Sequence, residues 1–433
     1  MTNKNIDKTT RRSFLETAGA GIVSGMIASQ QAVSADDQPE AEQNRIAVDI
    51  PVDLKPNGSD LGSLYDDVMR LASQYEFEYS FLGDRFKSLH EFKQQSREKV
   101  LDALLFRPPA VAPNPQVLER VDLGDIVREK IVFSTSPTLR VPAYVQIPKG
   151  LKEPAPAIID LHSHGGWIPF GKEKVTDLGE HNHPAMAAYH KDVYDGRATG
   201  TALARRGYVV ISIDAFFFGE RRTIVDVDLN KYGYDRSKYS MKVAEEMRMR
   251  CRAKEQTLVK ALIYAGLTWQ GILVNDDMRT VDYLLTRPEV DPKRIGCNGI
   301  SLGGYRSFLL AGLDERIAAA NVVGFMSTAR SMIRSYTEKH SWSHFPPTVH
   351  RYLDMPDIVS MMAPKPLLVQ QCTHDGLFPL SGMKTAVDKI AAVYNKAGAK
   401  DQFSGRFYNN EHQFTRQMQN EAFEFFDTHL KSK

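Results

Sequence analysis

Apolar residues change their spacing along this chain, and the change divides it. From about 61 to 106 they recur three and four apart, as at Leu64, Val68, Leu71 and Tyr75, which predicts helices packed on a main domain. From Ile126 the pattern shifts. Residues 131–133 and 141–145 read as strands that begin an antiparallel edge. Short apolar runs then alternate with helical stretches. Strands are expected at 157–161, 208–213, 294–297, 319–323, 366–370 and 403–408. Helices are expected at 201–206, 276–285, after Gly303, and over about 414–429. Continuous apolar strands separated by helices predict an α/β architecture: a mostly parallel central sheet with helices on both faces, plus a helical N-terminal extension. The expected organisation is 1–35 as a leader, 36–60 as a linker, 61–115 as the extension and 116–433 as the catalytic domain.

Composition narrows the function classes. The chain has 433 residues, 42% hydrophobic and 25% charged, enough for a sizeable core. Net charge is only +2 and no long Lys/Arg run occurs, so nothing points to nucleic acid. No apolar stretch reaches the roughly eighteen residues of a spanning helix. The three cysteines, Cys251, Cys297 and Cys372, are too few and too widely spaced for a disulfide framework. They are expected as small buried hydrophobes, with one disulfide left open.

The N-terminus carries an address. Arg11-Arg12-Ser13-Phe14-Leu15 is a twin-arginine pattern, followed by a Gly/Ala-rich weakly apolar stretch and then Val33-Ser34-Ala35. Small residues there suit a signal peptidase, and the ensemble reads as a bacterial Tat leader. Export to the periplasm or beyond is the expectation, with the Tat translocase as a partner during export.

The strongest chemical motif is Gly299-Ile300-Ser301-Leu302-Gly303-Gly304, between a predicted strand and a predicted helix. Such a turn is so tight that residues two before and two after the serine must be small, which holds Ser301 exposed above a helix N-terminus. A hydroxyl needs a base. Asp375 lies just past strand 366–370, and His412 just past strand 403–408, the end of an open α/β sheet where active groups collect. The reading is Ser301 as nucleophile, His412 as general acid/base and Asp375 as the group orienting the imidazole. The alternatives are a helix-capping serine, a loop histidine and an ordinary Asp-Gly turn. His374 and Glu411 are weaker substitutes for their neighbours.

An oxyanion hole is expected from the Leu302 N–H with that of His164 or Gly165, in the loop His162-Ser163-His164-Gly165-Gly166-Trp167; the His162 side chain would brace that loop. Phe216, Phe217 and Trp167 are candidates for lining a substrate pocket. Glu220 with Arg221 or Arg222 reads as a local ion pair. Residues 168–200 look like an enlarged connection over the site, or else a solvated surface insertion. His162, His164, His181, His183 and His190 fall close together, but no clustered carboxylates or HExxH accompany them, so no metal and no cofactor are assigned.

These segments together resemble the α/β-hydrolase superfamily, in its acetyl xylan esterase and dienelactone hydrolase-like branch. The resemblance runs from about 125 to 430. It is carried by the 161–166 loop, Arg206-Gly207-Tyr208, Phe218-Gly219-Glu220-Arg221, Asp277-Met278-Arg279, Arg287-Pro288-Glu289-Val290-Asp291 and the turn at Ser301. The family implies acyl transfer without a cofactor, on a small-molecule or carbohydrate ester. Ser301 departs from the cysteine nucleophile of true dienelactone hydrolases. The helical extension matches no counterpart in the resemblance. A prolyl-oligopeptidase-like peptidase shares the elbow, but no propeller-length segment precedes the domain. A non-catalytic binding scaffold is the remaining rival. Oligomeric state is not legible.

Overall fold

A computed structural model describes residues 54–431. The leader, and the linker up to residue 53, lie outside the described residues.

Nine strands form one sheet in the order β1-β2-β3-β5-β4-β6-β7-β8-β9. They are β1 Gln116–Asp122, β2 Ile126–Ser134, β3 Arg140–Pro148, β4 Ala155–Leu161, β5 Val209–Ile213, β6 Val290–Ile300, β7 Ile317–Val323, β8 Leu367–Cys372 and β9 Phe403–Tyr408. The first three strands and the β3–β5 pair are antiparallel, and every pair from β5 through β4 to β9 is parallel. Every residue of β4, β5 and β8 is buried. Successive side chains in a strand point to opposite faces, so burial along the whole strand means that both faces are covered. Strand order reverses beside β4, whose neighbours are β5 and β6. The carboxyl ends of β4 and β6 thus flank a topological switch point, where open α/β sheets form their crevice.

The helical extension is two unlike pieces. Helix Leu89–Ala103 is capped by the Ser88 side chain, which accepts from the Glu91 N–H, and it buries Phe92 and Val100. Arg97 fastens it to the main domain by donating to the carbonyls of Gly312 and Met361. Helix Tyr65–Ala72 carries the predicted apolar stripe but buries no residue, and Leu64 and Leu71 are 58% and 61% exposed. The spacing of apolar residues matches the helix, but Leu64 and Leu71 face solvent, while Ala72 and Tyr75 line a cavity with the domain.

Within residues 168–200, positions 168–176 are buried throughout and so are no solvated insertion, while exposed positions recur from 179 to 196. Lys172, Glu173, Lys174 and Thr176 are buried. Lys172 Nζ donates to Asp214 at 2.7 Å and to Glu220 at 2.6 Å, and Arg236 pairs with Glu173 at 2.8 Å. The same contacts correct the expected Glu220–Arg221/Arg222 pair. Glu220 goes to Lys172, Arg221 to Asp276 at 2.7 Å, and Arg222 to backbone carbonyls. Arg221 and Arg222 are themselves nearly buried and are engaged by these other acceptors. All three cysteines are buried and free.

A row of polar side chains crosses the interior of the parallel strands. Thr199 donates to Asp160 on β4 at 2.7 Å, and Asn298 on β6 donates to Asp160 at 2.7 Å. Asn321 on β7 donates to Asn298 at 2.9 Å and to Gln370 on β8 at 3.1 Å. Gln370 donates to the Tyr408 hydroxyl on β9 at 2.8 Å, and that hydroxyl donates to Glu421. Burial pushes the Asp160 carboxyl up to about 7, only partly offset by the hydrogen bonds from Thr199 and Asn298.

This raised value predicts a pH dependence of stability. The folded state prefers protonated Asp160 more than the unfolded chain does, whose aspartates titrate near ~4. The carboxyl's contribution is therefore whole below about pH 4 and is lost as pH rises through about 7. Urea midpoints measured from pH 4.5 to 8 should show that loss in the wild type and a flatter profile in Asp160→Asn. Parallel profiles would count against it.

Candidate active site

The sequence dictates the turn at Ser301 by sterics. A Cβ on Gly303 would sit 1.9 Å from the Leu161 carbonyl oxygen, and one on Gly299 would sit 2.6 Å from the same oxygen. Glycine at both positions lets β6, the following helix and the end of β4 close on one another. Ser301 takes φ 61° and ψ −122°, a strained conformation that a serine holds only where the surroundings impose it. Helix Leu302–Leu313 begins at the next residue and is buried along its whole length. Arg306 on it pairs with Asp277 of helix Trp269–Leu284, donating through Nε at 3.0 Å, and burial raises the Asp277 carboxyl to about 6.

The other two predicted groups meet directly. His412 Nδ1 and Asp375 Oδ2 are 2.6 Å apart. The Asp375 side chain is fully buried, and its Oδ1 accepts the Leu377 N–H at 2.9 Å. That geometry suits Nδ1–H donating to the carboxylate, which leaves Nε2 as the basic nitrogen. Nε2 is buried and has no hydrogen-bond partner among the described residues. Ser301 and His412 line the same cavity of about 440 Å³. Their closeness follows from the backbone. The Ser301 N–H donates to the Val323 carbonyl at 3.0 Å. The next residue, Gly324, leaves room for the imidazole, because a Cβ there would lie 3.1 Å from His412 Cε1. His374 is exposed, and neither it nor Glu411 lines the cavity.

Leu302 follows the serine directly, and His164 and Gly165 line the cavity that Ser301 lines. Leu302 opens its helix, so its N–H has no intrahelical acceptor. The N–H groups of His164 and Gly165 make no hydrogen bond among the described residues. The loop carrying them is rigidly held. Lys174, fully buried, donates to the carbonyls of Ser163 and His164 at 3.1 Å and 2.8 Å. Tyr189 packs so closely on Gly165 that a Cβ would fall 1.9 Å from its hydroxyl. His162 is buried and neutral, its pKa driven far down by burial, and its Nε2 accepts the Ala215 N–H at 3.1 Å.

His164 is held by a second carboxylate. Its Nδ1 accepts the Gly166 N–H at 3.0 Å, and its Nε2 donates to Glu255 at 3.1 Å. Ser341 donates to the other Glu255 oxygen at 2.7 Å. Burial opposes the Glu255 charge, but these hydrogen bonds prevail and hold its pKa below the usual range. Of the other nearby histidines, His183 Nε2 bonds the Tyr239 carbonyl and His190 Nε2 that of Glu173, and His181 is exposed. Among the described residues no group of three or more metal-ligating side chains converges.

The cavity walls differ from the expected ones. Phe216, Phe217 and Trp167 do not line it. Phe217 is buried against Trp269, with ring centroids 5.3 Å apart. Phe216 lies under the Arg221 guanidinium and Trp167 under that of Arg248. An aromatic run signals packing, and here the packing is internal. The walls come instead from Arg252, Glu255 and Gln256 on one side and Lys339, Ser341 and Trp342 on the other. Trp342 is 47% exposed. The sequence offered one signal for this wall, the His/aromatic cluster His340-Ser341-Trp342-Ser343-His344-Phe345.

Comparison with known proteins follows from this geometry. The pattern of the Abhydrolase family matches residues 59–425 and so takes in the helical extension. A candidate hydrolase of Bacillus subtilis, YtaP, is 25% identical over 308 residues, covering 70% of this chain and 89% of its own length. Among solved structures, a candidate acetyl xylan esterase from Bacteroides fragilis superposes with a TM-score of 0.59 at 19% identity, over 87% of this chain and 93% of the other. A glucuronoyl esterase from Solibacter usitatus gives 0.55 at 15% identity, over 79% and 94%. At these identities the structural likeness establishes the fold.

The Glu255 strut has a direct test. Glu255→Ala should speed amide hydrogen exchange in residues 163–166, and Glu255→Gln, which keeps an acceptor for His164, should restore most of the protection. Unchanged exchange in the alanine variant would show that the loop does not lean on this carboxylate.

Proposed function

The chain belongs to the Abhydrolase family, and from that premise we propose that it is a serine esterase, cleaving carboxylic esters through an acyl-enzyme on Ser301. The observation that carries the reading is the His412–Asp375 hydrogen bond at 2.6 Å, with the free Nε2 on the cavity that Ser301 also lines. Ser301 Oγ attacks the ester carbonyl while His412 Nε2 takes its proton. Buried Asp375 stabilises the imidazolium that results. The Leu302 N–H and those of His164 and Gly165 receive the oxyanion, with the helix dipole of 302–313 adding to the field. His412 then protonates the departing alcohol, and by the reverse logic draws a proton from the water that releases the acid. No step asks for a metal or a cofactor.

The alcohol side of the substrate is read as a carbohydrate, with acetyl esters as the class suggested by the branch resemblance. In support, one structural neighbour is named as a candidate acetyl xylan esterase. The cavity itself joins a half-exposed indole, Trp342, to the polar side chains of Arg252, Gln256 and Lys339. An indole face packs against the C–H face of a sugar ring while polar neighbours bind its hydroxyls. We also read residues 1–35 as a Tat leader and the mature protein as periplasmic or extracellular, with residues 61–115 an extension of the catalytic domain.

A fluorophosphonate probe should label the wild type and not Ser301→Ala, and that substitution should lower ester hydrolysis by at least about a thousandfold. Activity should persist in excess chelator. Labelling retained in Ser301→Ala, or dipeptide amides cleaved faster than acetylated sugars, would overturn the esterase reading. Replacing Arg11 and Arg12 by lysine should trap the protein in the cytoplasm of a Tat-competent bacterium, as seen by fractionation. Normal export of that variant would refute the leader.

A further inference from the structure

A second cavity shares a wall with the one around Ser301. It measures about 340 Å³ and is lined by Tyr75, Phe77, Met332, Ile333, Phe345 and Met355 among others. Its surface is mostly apolar, with Arg330, Thr337 and Arg351 among the polar residues that also line it. His340 and His344 line both cavities, so the partition between them is one layer of side chains.

The partition is unusual in its polar bookkeeping. His344 is 6% exposed, and neither of its ring nitrogens has a hydrogen-bond partner among the described residues. Burial drives its pKa far below the ordinary histidine value, so the ring is neutral and keeps one N–H. It is held only by aromatic contacts, with centroids 4.8 Å from Phe325, 5.3 Å from Tyr305 and 5.4 Å from His340. A buried donor without an acceptor calls for an explanation, and no polar contact among the described residues anchors this ring. His340, by contrast, is satisfied by the Leu377 carbonyl at 2.9 Å.

We propose that this apolar cavity receives the acyl group of the ester bound at Ser301, and that the acyl group is an aromatic ring or a medium-length alkyl chain. The inference rests on the esterase reading above and replaces the acetyl group suggested by the branch resemblance with a larger acid. The polar walls beside Trp342 suit the alcohol, which leaves the apolar side for the acid. An apolar cavity of roughly 150 Å³ already accepts benzene, so this one has room for a ring with a short linker. His344, held by ring contacts and by no side-chain hydrogen bond among the described residues, is the side chain of the partition that can turn aside to admit the acyl group. The proposal also gives the N-terminal extension a purpose, because Tyr75 and Phe77 form the outer wall. Arg330 pins that wall by donating to the Ala72 carbonyl at 2.8 Å, with its guanidinium 4.7 Å from the Phe77 ring.

The test compares 4-nitrophenyl esters of acetic, hexanoic and 3-phenylpropanoic acids, which share a leaving group. In the wild type, kcat/KM for the two larger acids should exceed that for acetate by about tenfold or more. Ala72→Trp and Ala329→Trp, which fill the cavity from opposite sides, should each reduce that ratio about tenfold. The ratio is insensitive to any loss of folded protein, so a structural defect does not mimic the result. A wild-type ratio of one or less, or a ratio unchanged in both filled variants, overturns the acyl-cavity proposal while leaving the esterase reading intact. Failure to cleave any of the three esters faster than Ser301→Ala would sink the esterase reading and this proposal with it.

Discussion

The contact between the Leu161 carbonyl and Gly303 is the constraint on which the site depends. It brings the end of β4 against the start of the helix after Ser301 at a distance no side chain tolerates. From it follow the sharp turn, the strained backbone of Ser301 and the nearness of the 162–166 loop to the Leu302 N–H. Strain of this kind costs on the order of 1–3 kcal/mol. It persists because helix Leu302–Leu313 is buried throughout and clamped by the Arg306–Asp277 pair, so the turn cannot relax without moving the core.

Around that fixed point the protein arranges two dyads of like form and unlike freedom. His412 and Asp375 leave one imidazole nitrogen uncommitted. His164 and Glu255 leave none, since both ring nitrogens are engaged. The same pairing of histidine with a buried carboxylate thus leaves a nitrogen free in one place and commits both in the other. What differs is whether a backbone N–H claims the second nitrogen.

The sheet, the elbow and the residues beyond β8 and β9 were legible in the sequence because each rests on local, periodic signals. Glycines at fixed offsets, apolar runs of strand length and short loops after them leave few alternatives. The cavity walls were not legible. Residues 252–256 and 339–342 lie far from Ser301 in the chain, in segments whose apolar residues announce burial but not a partner. Phe216 and Phe217 misled for the same reason: an aromatic run near a strand end fits a pocket or a core equally well, and the Trp269 ring decides for the core. The stripe on helix Tyr65–Ala72 shows the limit of periodicity. It specified a helix and said nothing about what the stripe would meet.

The buried polar row from Asp160 to Tyr408 bears on how the parallel strands find their alignment. Ile158-Ile159, Val322-Val323 and Leu368-Val369 are interchangeable hydrocarbon, and sliding one strand by two residues would keep every apolar side chain on its proper face. It would not keep Asn298 against Asp160 or Asn321 against Asn298. Each amide stranded in hydrocarbon would cost about 1–3 kcal/mol, and several would be stranded at once. The row therefore works as a key cut into otherwise featureless strands. A mis-slid sheet would carry the tips of β6, β8 and β9 to unequal heights, and the three loops that rise from them would never come level.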